Sequence, residues 1–225
     1  MRRDRRGRGY VLALSAAAAA VLALAGVAAA DKEKIRLTAA GQAAARAAVL
    51  TRADLGSASG WTGGPKKPDL SPPPLCPNYR PKQSDLVLVG AAESVWRQSG
   101  LEYNSEAQVL RTSEMVRLDW QRTVVAPQVL PCLQTGMSKQ LPASERLVSF
   151  GRIPFPQLST FTRAFRAVVD VKTSVTTVRV LVDLVLVGRG RTEITLTTTA
   201  PFVAKSAVAA SEVRLARRLV SRIRA

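Results

Sequence analysis

The residues of this chain that could do chemistry are carboxylates, arginines and two cysteines, because its 225 residues contain no histidine. Without histidine, the Ser-His-Asp and Cys-His catalytic arrangements and most zinc sites are excluded. The chain also lacks a Ser-x-x-Lys nucleophile pattern and a glycine-rich phosphate loop followed by Lys-Ser or Lys-Thr. We therefore expect no catalytic residue, no metal and no cofactor, and we predict that the protein is not an enzyme.

Glycoside hydrolysis needs one carboxyl group that acts as an acid and another that acts as a base or nucleophile. Two pairs of carboxylates in this chain have a spacing that makes them candidates for these roles. Glu102 and Glu106 alternate to the same face of a candidate strand, and Glu114 and Asp119 lie on a candidate helix. We expect both pairs to be solvated, as most carboxylates are, with the first pair at the edge of a sheet. A cell-wall hydrolase is therefore the less favoured hypothesis of function.

The arginines are the other candidates, and Arg163 differs from the rest because it interrupts the apolar side of a candidate strand. An unpaired charge is costly to bury, so Arg163 lies either at the rim of the sheet or in a cleft that receives an anion. Two other pairs have the spacing to share a strand face and offset each other's charge: Arg166 with Asp170, and Arg179 with Asp183. The candidate ligand-binding residues are Arg163, Arg166, Trp96 and Trp120.

Cys76 and Cys132 are the two cysteines of the chain. A metal site would need further ligands, and a redox motif would need the C-x-x-C spacing. In an oxidising compartment, such an isolated pair predicts one structural disulfide. Closing a loop of this length stabilises a fold by about 4 kcal/mol on the chain-entropy model.

The first thirty residues predict export from the cytoplasm. Five arginines lie between Arg2 and Arg8, an apolar run follows from Val11 to Ala25, and Ala28-Ala29-Ala30 resembles a cleavage site. Residues 1–30 are either a cleaved signal peptide or a retained single-pass anchor, because an apolar segment of this length is just enough to cross a bilayer. We expect the remaining domain to be secreted or at the cell surface, and to meet the membrane only through this segment if it is not cleaved.

The net charge of the chain is +17, and residues 1–30 hold five arginines and one aspartate, so residues 31–225 retain +13. This positive charge has two possible explanations. It follows from the general composition of an Ala-, Val- and Arg-rich chain, or it serves to attract an anionic or lipid ligand. The arginines are spread along the chain, which favours the first interpretation. We expect no nucleic-acid partner, since an exported domain seldom meets one.

The elements that must position these residues form one α+β domain over residues 31–225, with a Pro-rich loop at residues 56–82. The patterns predict an antiparallel sheet of five to six strands with helices packed on one face. In the first strand, Leu88 and Trp96 are expected on the same side. A helix that opens at Ser113 is expected to end before Pro127 and Pro131. The predicted elements are a helix near 38–50, strands near 86–96, 101–109, 145–153, 161–171, 178–186 and 192–199, and a terminal helix near 206–224.

This layout resembles the extracytoplasmic sensor domain of mycobacterial receptor-type serine/threonine kinases, a family of secreted actinobacterial domains. The matching features are a helix that ends in Asp54-Leu55-Gly56, then Trp61, a Pro-rich stretch with Cys76, a helix leading to Cys132, and an antiparallel run into a terminal helix. The resemblance implies an α+β body with a cleft, a sensing role and no catalysis. The chain departs from the family in having one cysteine pair where the family's kinase member is similar to a two-disulfide domain, and in having no kinase domain attached.

The favoured hypothesis is therefore a non-enzymatic, extracytoplasmic binding or sensor-like domain whose extracellular ligand is unknown. The alternative is a carrier of lipids or other amphiphiles, in which Trp96, Trp120, Phe161 and Phe165 surround a hydrophobic cavity.

Overall fold

The computed structural model of the protein describes residues 32–70 and 79–223. These residues form eight strands and four α-helices. The strands are β1 (Lys34–Ile35), β2 (Thr62–Lys66), β3 (Val87–Gln98), β4 (Leu101–Leu110), β5 (Glu145–Arg152), β6 (Phe161–Lys172), β7 (Thr177–Arg189) and β8 (Thr192–Pro201). The helices are α1 (Ala39–Ala47), α2 (Ser113–Trp120), α3 (Val129–Gln140) and α4 (Lys205–Ser221).

All eight strands belong to one sheet with the order β1-β3-β4-β8-β7-β6-β5, and β2 pairs with the other half of β3. Every pairing is antiparallel except that of β1 with β3. The antiparallel α+β prediction is confirmed, and the sheet has more strands than the five to six expected. The two extra strands escape pattern recognition because β1 has two residues and β2 contains Gly63-Gly64-Pro65.

Helices cover both faces of this sheet, so the expectation of helices on one face is wrong. The first face includes Ser94, Ser105, Leu196, Val185 and Ala164, which follow one another across neighbouring strands. It carries α1 and α4, whose buried alanines and leucines join a common core cluster with β7 and β8. The second face carries α2 and α3. The strands β6 and β7 are apolar on both sides, and both sides therefore need cover.

Two local predictions about these elements are also wrong. The register shifts between Leu88 and Gly90 in a β-bulge, which puts Leu88 on the second face and Trp96 on the first. Pro131 does not end a helix but is the third residue of α3. A proline is tolerated there because the first N–H groups of a helix have no intrahelical acceptor.

Some predictions concern residues that the structure describes only in part. Cys132 of α3 is buried and is not a free thiol, while Cys76 lies outside the described residues, so their pairing stays a prediction. Residues 1–30, to which the signal or anchor prediction refers, also lie outside them. Within residues 32–70 and 79–223, no helix has the length and apolar character needed to span a membrane.

Candidate functional site

The four candidate ligand-binding residues do not meet at one place. Trp96 is on the first face of the sheet, where its Nε1 donates to the Leu50 carbonyl at 3.2 Å. Arg166 is on the same face. Arg163 lies on the second face, and Trp120 of α2 packs against that face with its ring centroid 5.5 Å from that of Phe161. The sheet therefore separates the four residues into two pairs.

Arg166 forms an ion pair across the strands and not along its own strand. It lies directly opposite Asp183, and its Nε donates to Asp183 Oδ1 at 2.6 Å. In the same way, Arg179 lies opposite Asp170 and donates to its Oδ1 at 2.7 Å. The predicted pairing of residues four apart on one strand is wrong, because such residues are about 13 Å apart, whereas opposite residues have Cβ atoms about 5 Å apart.

Arg163 has no carboxylate partner within the described residues. Its Nη1 donates to the carbonyl oxygen of Thr162 at 2.9 Å, and its side chain is partly exposed. Strand registers place Arg163 at one end of a row that crosses five strands of the second face. We call this set the polar row: Glu93, Glu106, Thr195, Leu186 and Arg163.

The carboxylates of β4 are not at the sheet edge. The strand lies between β3 and β8 in the interior of the sheet, Glu102 is 6% exposed, and Glu106 is partly buried. Glu102 accepts an ion-paired hydrogen bond from Arg97. The expectation that Glu102 and Glu106 are solvated edge residues is therefore wrong. Alternation along one strand shows which residues share a face, but not how deep in the sheet that strand lies.

Glu106 lies directly opposite Glu93, which is 4% exposed. Burial, and next the charge of Glu93, raise the pKa of Glu106 to about 7. Glu93 Oε1 accepts from Lys66 Nζ at 3.0 Å and from Asn104 Nδ2 at 3.1 Å. Asn104 itself is 2% exposed, and its Oδ1 has no hydrogen-bond partner. We call Glu93, Asn104 and Glu106 the acidic site.

A second group of carboxyls lies next to α2 on the same face. Asp119 Oδ1 accepts from Gln83 Nε2 at 2.7 Å. Burial and the nearby Asp119 raise the pKa of Glu193 well above its usual range, and the same two causes raise the pKa of Glu33 to about 7. Asp119 is buried, contrary to expectation, whereas Glu114 is exposed as expected and pairs with Arg117.

Apart from these two groups of carboxyls, Glu212 of α4 is buried on the first face against Asp183. Burial and the charge of Asp183 raise its pKa to about 8, although Arg166 acts in the opposite direction. A protonated Glu212 can donate a hydrogen bond to Asp183, so the pair shares a single negative charge beside Arg166.

We predict that Glu212→Gln weakens the pH dependence of stability. A carboxyl whose folded-state pKa is raised destabilises the fold progressively as pH rises from its unfolded value of about 4.5 to its folded value of about 8. Glutamine can still donate to Asp183 but cannot ionise. Between pH 5 and pH 8, urea denaturation should show that the wild type loses on the order of 2 kcal/mol more than the variant. The exposed control Glu114→Gln should leave the dependence of stability on pH as steep as in the wild type. The same pH dependence in the wild type and in Glu212→Gln would contradict the prediction.

The arrangement of the acidic site determines what it can bind. Glu93, Glu106 and the Asn104 Oδ1 atom bring hydrogen-bond acceptors to one part of the sheet face. Among the described residues, Lys66 Nζ and Asn104 Nδ2 donate hydrogen bonds there, and both donate to Glu93 Oε1. No group of three or more His, Cys, Asp or Glu side chains within residues 32–70 and 79–223 is arranged to hold a metal ion. Sequence reasoning missed Glu93, Asn104 and Glu193. The available signal was the polar alternation of β4 from Glu102 to Gln108 beside the threonine-rich β8.

Comparisons with known proteins place the chain in no family. No protein-family model matches it, and no curated protein matches it. Among solved structures, the chain is similar to LpqN, which is involved in cell envelope biogenesis of Mycobacterium tuberculosis. The similarity has 11% sequence identity and a TM-score of 0.32, and it covers 74% of this chain and 85% of that chain. A match this weak supports neither a shared fold nor a shared function.

Proposed function

We propose that the protein is a non-enzymatic extracytoplasmic binding domain that takes its ligand at the acidic site. The observation that carries this proposal is the unmet hydrogen-bonding capacity of Asn104, whose Oδ1 is buried without a partner beside two carboxyls. A buried polar atom without a hydrogen bond costs about 1–3 kcal/mol. A group held at that cost is a candidate to be satisfied by a ligand.

Two further features support the location and the role. The charged and apolar pattern of residues 1–30 is that of an export signal or an anchor, so the domain is proposed to face outward. The layout of the chain resembles that of kinase-linked sensor domains, which supports a sensing use of the bound ligand. The proposal is limited to binding, because no observation on the described residues bears on a signalling partner.

The carrier alternative is less well supported by the placement of the aromatic residues. Trp96 packs on the first face with α1 and α4, whereas Phe161 and Phe165 lie on the second face, where Trp120 of α2 packs. The four side chains are on opposite sides of the sheet and therefore do not surround one cavity.

A glycoside hydrolase is the second candidate, and one observation favours it. Glu93 and Glu106 are directly opposite on neighbouring strands, and the pKa of Glu106 is raised to about 7. A protonated acid beside an ionised carboxylate is the arrangement that such enzymes use. Both side chains lie on one sheet face and not on two walls of a groove, which is why we place this candidate second.

Native mass spectrometry tests the binding function. The purified protein is incubated with a soluble extract of bacterial cell envelope, and its native mass is compared with its denatured mass. We expect a discrete excess mass that denaturation removes, and we expect the double variant Glu93→Gln/Glu106→Gln to lose it while Glu114→Gln retains it. A bare mass in every sample would contradict the proposal. New reducing ends released from purified peptidoglycan by the wild type but not by Glu106→Gln would establish the hydrolase instead.

A further inference from the structure

We propose that the ligand of the acidic site presents a primary ammonium group to Glu93, Glu106 and Asn104, and that the Lys66 side chain occupies this position until the ligand replaces it. The inference rests on the proposed binding function and adds the chemical class of the ligand.

The hydrogen-bonding capacity of the site selects a donor. Glu93 and Glu106 lie directly opposite each other, and Asn104 is two residues from Glu106 on the same face of β4. The Oδ1 atom of Asn104 has no hydrogen-bond partner although Asn104 is 2% exposed. The Asn104 amide belongs to this group, because its Nδ2 donates to Glu93 Oε1 at 3.1 Å. A primary ammonium offers three donors and no acceptor, so it can satisfy all three side chains. An anion would meet only repulsion, and an alcohol offers a single donor.

Lys66 shows that an ammonium fits beside Glu93. Its Nζ lies 3.0 Å from Glu93 Oε1, while its own side chain is 56% exposed. Lys66 is the last residue of β2, a strand that pairs with β3 alone and leaves its other edge unpaired among the described residues. The Lys66 ammonium can be solvated by water when it leaves, while the buried Glu93 carboxylate then needs another cation. Lys66 can therefore leave the site at small cost when another ammonium enters.

The site is open on the side of Glu106. Glu106 and the neighbouring Thr195 and Leu186 of the polar row are partly exposed, whereas Glu93 and Asn104 on the same sheet face are buried. An incoming ammonium would reach Glu106 first and extend its alkyl part along Thr195 and Leu186. The methylene groups of an aliphatic amine suit this mixed polar and apolar surface.

The groups that surround Glu106 predict how binding depends on pH. Glu93 and Asp69 favour its protonated form and Lys66 favours its ionised form, with a resulting pKa of about 7. An ammonium ligand binds the ionised form better, so its affinity should rise between pH 6 and pH 8. Replacement of Glu106 by glutamine should remove that rise, because the glutamine side chain does not ionise.

Titration of the purified protein with n-butylammonium, monitored by calorimetry and by amide NMR shifts, tests the inference. The neutral and anionic controls are n-butanol and butyrate, which have similar chain lengths. We expect saturable binding of n-butylammonium alone, about tenfold weaker in Glu106→Gln and severalfold tighter in Lys66→Met. The control Glu114→Gln should bind as the wild type does.

Three results would overturn the inference: equal binding of n-butanol, binding that Glu106→Gln leaves unchanged, or weaker binding in Lys66→Met. Lys66→Met alters an exposed side chain on an edge strand, so it gives a result even if Glu106→Gln folds poorly. Failure of this inference can be told from failure of the proposed function. If n-butylammonium does not bind but the envelope-derived mass still depends on Glu93 and Glu106, the ligand class is wrong and the binding site stands.

Discussion

Replacing Gly90 by alanine is expected to destabilise the protein by more than about 3 kcal/mol, a large share of the roughly 5–15 kcal/mol that is typical of a folded domain. Helix α1 crosses β3 with backbone against backbone at Gly41 and Gly90. A Cβ atom on Gly90 would lie far inside van der Waals distance of the Gly41 carbonyl, and a Cβ on Gly41 would meet the Val89 carbonyl in the same way. Backbone atoms cannot rotate away as side chains do, so α1 would have to lift off the sheet and expose its buried alanines.

The matched control is Gly151→Ala, which also adds one methyl group to a strand. Gly151 lies on the outer strand β5, and a Cβ atom there would have no neighbouring atom within 4 Å. Urea denaturation followed by circular dichroism should therefore show a large loss of stability for Gly90→Ala and almost none for Gly151→Ala. Similar small losses in the two variants would show that α1 and β3 are not packed backbone to backbone.

Replacing Arg166 by methionine is expected to cost about 3–5 kcal/mol, because it leaves a buried carboxylate without its cation. Asp183 is completely buried, and the side chain of Arg166 is 20% exposed. Among the described residues, Glu212 is the titratable group that faces Asp183, and its raised pKa favours the protonated form, which supplies no cation. Methionine preserves the length of the aliphatic stem, so most of the loss comes from the missing charge and its hydrogen bonds.

The matched control is Arg179→Met, which breaks an equivalent cross-strand pair with Asp170 on the same two strands. The Arg179 side chain is 48% exposed, and Asp170 keeps its ion pair with Arg146, so the carboxylate is not left without a cation. Chemical denaturation should show that Arg179→Met loses only a small fraction of the stability that Arg166→Met loses. Equal losses of stability in Arg166→Met and Arg179→Met would contradict the prediction.

Local patterns were sufficient for the elements whose signals lie within a few residues. Thr38 caps α1 as its side chain predicts, with its Oγ1 accepting from the Gly41 N–H at 3.0 Å. The Ser99-Gly100 turn joins β3 to β4, and β6, β7 and β8 lie where the sequence predicts strands near 161–171, 178–186 and 192–199. The bulge before Gly90 could not be recognised from the residues around it. It accommodates α1, which contacts β3 from a distant part of the chain.

The candidate site was the least predictable part of the molecule. Arg163 is recognisable from the sequence, because it is a single charged residue among the apolar residues of one strand face. The acidic site could not be found in that way, because Glu93 and Glu106 belong to two strands whose register only the folded hairpin determines. The pairing of β4 with β8 joins segments about ninety residues apart, and it converts a strand that looks like a solvated edge into an interior one.

By itself, the sequence determined the export-like amino terminus, the α+β class, the order of the main elements and the absence of histidine-dependent chemistry. These properties depend on composition and on periodicity within one segment. Only the tertiary structure decided which carboxylates are buried, which arginine forms an ion pair with which aspartate, and that helices cover both faces of the sheet. Burial and charge pairing depend on which strands become neighbours, and that choice is made by the free energy of the whole chain.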